Sequence, residues 1–393
     1  MTTAVGPRPG TAEDAVVGVV PGEVVRPGSE QQVVEVLRAA QRDGRSVLAT
    51  GGRSKTGWAP APTSADVLVD VTGLDRVVEH TAGDLVVVAQ AGVPLAALQE
   101  QLASAGQWLA LDPPETGATL GGIVSANASG PRRLRYGTAR DLLIGVTVVL
   151  ADGTVAHAGG KVVKNVAGYD LGKLYTGAHG TLGVVVSTTW RLHPVPAARQ
   201  VVVLDLPDPQ AAGPLAIAIA RSTLTPVAVE LQAVVGGAAA LVVVFEAIAA
   251  SVTAQADAAV ALLGGGRRTD ALPEGFGQRP GGPDDLVLRL AFAPASLSFV
   301  LAALPDGAEV AASACTGVAY AVLPDAGAAA LEGLRAALAR HDGTAVVLSA
   351  PLPLRAGLDH WGPVGDSLGL MRRVKDRFDP ERRLAPGRFV GGI

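Results

Sequence analysis

Apolar positions along this chain fall into short runs of two kinds, alternating strand-like stretches and helical faces spaced three and four apart. Residues 24–57 read as strand, helix, strand and turn. Ser29 is a candidate N-cap, Val33, Val34, Val36 and Leu37 form a helical apolar face, Gly44 ends it, and residues 47–49 make a short buried strand. Residues 66–71 (DVLVDV) and 85–91 (LVVVAQA) predict further strands, and residues 94–105 predict a helix with Pro94 in its first turn and Gly106 at its end. Residues 117–137 hold too much Gly and Ser for a regular element. Strand character returns at 145–151 and 181–191, then stops at His193-Pro194-Val195-Pro196, which reads as a linker.

Beyond that linker the pattern repeats. Residues 200–263 read strand, helix, strand, strand, helix, and residues 286–348 read strand, helix, two strands, helix, strand. Two consecutive βαββαβ-like units predict paired ferredoxin-like halves sharing one antiparallel sheet covered by helices. The Gly- and Pro-rich stretch 264–283 is then the loop between them. The expected organisation is a tail over residues 1–23, a first domain over 24–196, a second over 197–355, and a C-terminal segment over 356–393 that returns to the first domain. The fold class is α+β.

Composition narrows the function. Of 393 residues, 49% are hydrophobic and 17% charged, which excludes a disordered or fibrous chain. The most membrane-like run, 238–252, is broken by Glu246 and shorter than the ~20 residues a spanning helix needs. The N-terminus lacks an apolar export signal, so a cytoplasmic location is expected, with membrane association only through partners. The single Cys315 leaves no internal disulfide, no Cys-based zinc site and no iron–sulfur cluster held by this chain alone. No metal site is expected. A net charge of −4, without blocks of one sign, argues against nucleic acid and for a small-molecule ligand.

Two glycine-rich loops carry the candidate binding chemistry. Thr50-Gly51-Gly52-Arg53-Ser54-Lys55-Thr56-Gly57 directly follows a short strand; its glycines let main-chain N–H groups converge on an oxygen-rich anion, and Thr50, Ser54 and Thr56 add hydroxyls. The spacing is neither G-x-G-x-x-G nor G-x-x-x-x-G-K-[ST], so a nicotinamide Rossmann domain and a P-loop NTPase lose ground. The second loop runs from Asp112-Pro113-Pro114 through Thr119, Gly121, Gly122 and Ser125 to Asn127 and Ser129. Its small residues let backbone lie flat against a planar ligand, with polar side chains free to bond it. The chain has just two Asn (Asn127, Asn165), five Lys and 4 Tyr. Both Asn, three of the Lys and three of the Tyr crowd into residues 121–176, a window that needs side chains the rest does without.

These loops, with Tyr136-Gly137, the string Lys161-Val162-Val163-Lys164-Asn165-Val166-Ala167-Gly168-Tyr169-Asp170, and Gly177-Ala178-His179-Gly180-Thr181-Leu182-Gly183, resemble the FAD-binding domain of the vanillyl-alcohol oxidase and p-cresol methylhydroxylase (PCMH) type. Within that family the chain is similar to the FAD-binding subunits of bacterial glycolate oxidases. The resemblance spans about residues 24–196 and resumes at Phe378-Asp379-Pro380 and Pro386-Gly387-Arg388. It implies that Thr50, Gly51, Gly52, Arg53 and Ser54 hold the FAD pyrophosphate, that Thr119, Gly121, Gly122, Ser125 and Asn127 line the phosphate and isoalloxazine, and that Gly183 and Val184 meet the flavin through backbone. Lys164 is a further candidate beside it. Covalent relatives attach flavin through a His in the first loop; Arg53 stands there, so binding is expected to be non-covalent.

The resemblance also implies oxidation of a 2-hydroxy acid such as glycolate, with electrons passing to a partner. The family's catalytic subunits carry an H-x-G-D-G-N-x-H type motif in the second domain, and this chain lacks it. The expected role is therefore a flavin subunit in a complex with a catalytic flavoprotein subunit and an iron–sulfur subunit. A stand-alone FAD-linked oxidase of another alcohol and a non-catalytic scaffold are the alternatives. The sequence identifies no general base; His360, with Arg355 and Arg388 nearby, is the candidate cluster for a carboxylate substrate.

Overall fold

The computed structural model describes residues 5–161, 169–282, 284–324, 327–355 and 357–393. Hydrophobic strands near the N-terminus form a small sheet in which Glu23–Arg26, Val67–Asp70 and Val47–Thr50 run parallel and Val5–Pro9 adds antiparallel to Glu23–Arg26. Residues 5–9 therefore belong to the sheet and not to a free tail. The intervening helix Glu30–Arg42 starts where Ser29 accepts a hydrogen bond from the Gln32 amide, buries Val33, Val34, Leu37 and Ala40, and stops before Gly44, whose φ of 62° suits a residue without Cβ. A second, antiparallel sheet is ordered Val77–Thr81, Val86–Gln90, Val184–Arg191, Leu143–Val149, Val155–Gly159. Trp190 is fully buried in the core these elements share. His193–Pro194, read as linker, pairs with Gln107–Trp108.

The stretch 117–137 is more regular than its glycines suggest. Thr119 caps a helix, Leu120–Ala126, that buries Leu120, Ile123 and Val124. Gly121 is required there because a Cβ would come 2.8 Å from the Ala91 Cβ. Close helix–sheet packing, and not flexibility, explains this glycine.

The cap is, among the described residues, one eight-stranded antiparallel sheet. Its order is Arg267–Thr269, Ala198–Leu206, Ala239–Ala247, Ala228–Val234, Glu309–Ser313, Val318–Val322, Val287–Ala291, Thr344–Ser349. Each half carries the 4-1-3-2 strand order of a ferredoxin-like unit, and the halves join edge to edge through their second strands, with Leu231 opposite Ala312. The fourth strand of the first half, Arg267–Thr269, lies inside the stretch the pattern assigned to a loop. Alternation decides which face meets which layer. Leu231, Leu241, Leu288, Leu290, Ala319 and Ala321 pack under the cap helices. Glu230, Arg289 and Tyr320, one position out of phase, stand on the other face, toward the first domain.

Ion pairs and the chain end lock cap and first domain together. Arg132 bridges Asp112 at 3.2 Å and Glu246 of the cap at 2.6 Å. At the C-terminus, helix Ser367–Phe378 buries Lys375, whose Nζ donates to Asp379 at 2.7 Å and to the carbonyls of Thr181 and Leu384 at 2.8 Å. Desolvation is offset because every donor of this ammonium is satisfied. The following turn brings Ala385 N to Val47 O at 2.8 Å, so the last residues extend the first sheet beside the glycine loop.

Candidate functional site

A trough of about 860 Å³, adjoining open solvent included, runs between the two glycine loops. The loops are packed on one another: a Cβ at Gly51 would collide with Thr119 Oγ1, and one at Gly52 with the Gly117 carbonyl oxygen. Thr50, Gly51, Gly52, Arg53 and Ser54 line one side and Thr119, Gly121, Gly122 and Ser125 the other, with Gly183 and Val185 as floor. The Val184 side chain turns into the core, leaving only its backbone available to a ligand. Lys164 lies outside the described residues. Arg53, at φ 55°, sends its guanidinium away to Asp14 Oδ1 at 3.0 Å, so the N-terminal segment tethers this loop and Arg53 offers the trough its backbone. Asp14, buried and bonded by Arg8, is held far below the usual carboxylate range.

These residues fit a dinucleotide. Thr50 Oγ1 is buried at the trough without a hydrogen-bond partner among the described residues, as a donor awaiting an acceptor would be. Lys55, which the sequence pattern passed over, lines the same trough with its side chain 7% exposed and Nζ 3.0 Å from Ser54 Oγ. Burial, helped by Arg279, lowers its pKa to about 8. A bound diphosphate would stabilise the ammonium and raise that pKa, so binding takes up a proton above pH 8. FAD affinity is accordingly expected to fall as pH rises past about 8. Fluorescence titration should show that slope in the wild type and a flat, about tenfold weaker profile in Lys55→Met.

A second cavity, about 960 Å³ with its mouth, opens beside the trough and faces the cap sheet. Ala126 and His179 line both. His179 packs its ring on Trp361 and Phe389, 5.2 and 5.9 Å between centroids, and burial, with Arg388 and Arg289 adding, pushes its pKa down to about 4. It is neutral at physiological pH. Asn127 borders this second cavity, with Oδ1 buried and unpartnered among the described residues. Its αL backbone, φ 47°, closes the helix that Thr119 opens.

Sequence reasoning missed the charged wall of this cavity, formed by Arg133, Arg279, Arg289 and Tyr320. Arg133 donates to the carbonyls of Ser129 and Gly130, at 2.7 and 3.0 Å, and its Nη2 lies 3.4 Å from Tyr320 Oη. Arg279 is sandwiched between Trp58 and Tyr320, 4.6 and 4.5 Å from the ring centroids, and pairs with Glu115. Arg289 makes no hydrogen bond or ion pair among the described residues. These three guanidiniums come from a helix, a loop and a strand, with Arg133 more than a hundred residues before the other two, so no local spacing announces them.

Behind this wall, Glu230 is buried with Oε1 unpartnered among the described residues, and burial raises its pKa from 4.5 to about 8. It therefore carries a proton at neutral pH. The unfolded chain loses that proton near 4.5, so this group's stabilisation is complete below that value and drains away up to about pH 8. Denaturant titrations should show stability declining across that window by a few kcal/mol, a decline that Glu230→Gln abolishes.

The candidates near the C-terminus bond main chain. His360 is buried, its Nδ1 3.1 Å from the Leu358 carbonyl and its Nε2 without a partner among the described residues, and it lines neither cavity. Arg355 bonds the carbonyls of Ala350 and Gly57; Arg388, at the trough edge, bonds those of Thr56, Trp58 and Pro60. Both fasten the segment that carries Trp58 into the second cavity. They act on backbone.

Residues 21–159 match the family model "FAD binding domain". The chain is 36% identical over 170 residues to glycolate oxidase subunit GlcE of Escherichia coli, covering 43% of this chain and 48% of that protein. It is 33% identical over 212 residues to the mitochondrial D-lactate dehydrogenase [cytochrome] of Arabidopsis thaliana, covering 54% of this chain and 37% of that one. The chain thus spans less than half the length of these curated relatives. Among solved structures, p-cresol methylhydroxylase with substrate bound superposes with a TM-score of 0.75 at 17% identity, over 94% of this chain and 89% of that one. Alkyldihydroxyacetonephosphate synthase superposes with a TM-score of 0.71 at 15% identity, over 95% and 78%. The chain therefore carries an FAD binding domain over residues 21–159 and shares, with its cap, the α+β fold of p-cresol methylhydroxylase.

Proposed function

We propose that this chain oxidises a 2-hydroxy acid, with glycolate the first substrate to test, using FAD held non-covalently in the trough. The observation that carries the reading is Arg289, a solvent-exposed guanidinium without a partner among the described residues, on the wall of a cavity that opens beside the flavin trough. A cation left unpaired on a cavity wall suits an anionic ligand, and a planar carboxylate matches its fork. The similarity to glycolate oxidase GlcE and to D-lactate dehydrogenase supports the same substrate class. When bound, FAD supplies a two-electron acceptor for the substrate carbon. The chain's own residues orient the acid: Arg289 holds its carboxylate, Trp58 and Trp361 exclude water, and Asn127 offers a polar contact near the ring.

The proposal includes a partner. Electrons that reach the flavin leave to another protein, with a further flavoprotein and an iron–sulfur subunit as the partners proposed; the similarity to a named oxidase subunit supports a complex of more than one subunit. The Arg-lined cavity favours a substrate site within this chain over a pure relay. Among the described residues no helix is long and apolar enough to cross a membrane.

Anaerobic addition of 2-hydroxy acids to the FAD-loaded chain tests the reading. Glycolate or a close homologue is expected to bleach the flavin's visible absorbance without any partner present. An unbleached flavin with every acid of the panel would overturn it.

A further inference from the structure

We propose that Tyr320, bonded at its hydroxyl by Arg133 and covered on its ring by Arg279, is the base that takes the hydroxyl proton of the substrate. This assignment rests on the hydroxy-acid reading and adds the residue that the sequence leaves unnamed. Arg289 and Tyr320 are directly opposed across the antiparallel strands Val287–Ala291 and Val318–Val322, on the sheet face turned to the first domain. Directly opposed side chains start about 5 Å apart. A 2-hydroxy acid carries carboxylate and hydroxyl on adjacent carbons, so a carboxylate clasped by Arg289 brings its hydroxyl to Tyr320.

Charge favours the same division of labour. Burial pushes the Tyr320 phenol up, but Arg279, Arg133 and Arg289 outweigh it and bring the phenol from 10.0 down to about 7. The other titratable groups near Tyr320 are less suited. His179 holds a proton too weakly, and Glu230, on the same sheet face, is already protonated. Arg279 is partly neutralised by Glu115, leaving Arg133 and Arg289 to balance one phenolate and one carboxylate. An arriving carboxylate also raises the basicity of the neighbouring phenolate just when it must accept a proton.

In the step, the substrate O–H bond breaks, its proton goes to Tyr320 Oη, and the electron pair of the broken bond, left on the substrate oxygen, closes the C=O bond. The carbinol C–H bond breaks with its electron pair, and hydride leaves to the oxidised flavin ring. The acid becomes a 2-oxo acid, oxidised by two electrons, the flavin is reduced by two, and Tyr320 later returns its proton to solvent.

The test begins with tyrosinate ultraviolet absorbance, which is simple in a chain with 4 Tyr. One tyrosine of the FAD-free protein is expected to ionise near pH 7, to vanish in Tyr320→Phe, to move toward 10 in Arg133→Met, and to move upward when oxalate, an inert diacid, is added. In single-turnover bleaching by glycolate, Tyr320→Phe is expected to slow the FAD-loaded enzyme by about 10²- to 10⁴-fold with FAD affinity unchanged. A wild type in which no tyrosine ionises below about pH 9, or a Phe variant that bleaches at the wild-type rate, overturns the assignment. A wild type that no hydroxy acid bleaches overturns the functional reading beneath it, which the absorbance titration distinguishes.

Discussion

Arg289→Met is expected to lower kcat/KM for glycolate by about 10²- to 10³-fold, the loss of roughly 3–4 kcal/mol of charge-assisted hydrogen bonding. Most of the loss should appear in KM, because the carboxylate is bound similarly in ground and transition states. Methionine keeps the apolar stem on the sheet, so folding should survive. Arg289→Lys restores charge without the planar fork and is expected to recover part of the affinity. Steady-state kinetics with glycolate, and direct binding of oxalate to the oxidised protein, check both variants. Should Arg289→Met keep wild-type KM and oxalate affinity, this guanidinium does not anchor the substrate.

Gly52→Ala is expected to weaken FAD binding by about 10- to 100-fold, because overpacking of this kind costs about 1–3 kcal/mol. The added methyl would meet the backbone oxygen of Gly117, and no side-chain rotation can relieve a backbone clash. The two loops must then part, widening the cradle that the diphosphate should bridge. Equilibrium dialysis with FAD measures the effect, and an unchanged circular dichroism spectrum separates it from unfolding. Unaltered affinity would mean that the apposed loops do not grip the cofactor.

Much of this architecture is legible in the sequence because its signals are local. The ferredoxin-like repeat shows itself through two similar successions of apolar runs, each unable to bury its face alone. The glycine loops are visible because a strand ending in Thr50-Gly51-Gly52 has few purposes. Where tertiary packing overrides local preference, the reading fails. Leu120–Ala126 is helical despite Gly121 and Gly122, since Ile123 and Val124 need burial and Gly121 must approach Ala91. Arg267–Thr269, short and charged, earns its place as a strand by pairing with residues 201–203.

The second cavity was illegible for a different reason. Arg133, Arg279 and Arg289 meet only after the cap folds over the first domain, and Tyr320 in an alternating strand looks like any half-buried aromatic. Conversely, His360, Arg355 and Arg388 look reactive because they share the chain's end. In the folded protein each is tied to main-chain carbonyls. A polar residue's neighbours in sequence say little about whether its hydrogen bonds are already taken.

A crystal structure of the chain soaked with FAD addresses the central claim most directly. The diphosphate is expected against residues 50–55 and 119–122, the isoalloxazine beside His179 with one face open to Arg289 and Tyr320, and no covalent bond to Arg53 or any other residue. Electron density for FAD bound elsewhere, or a ring turned away from the cap, would contradict it.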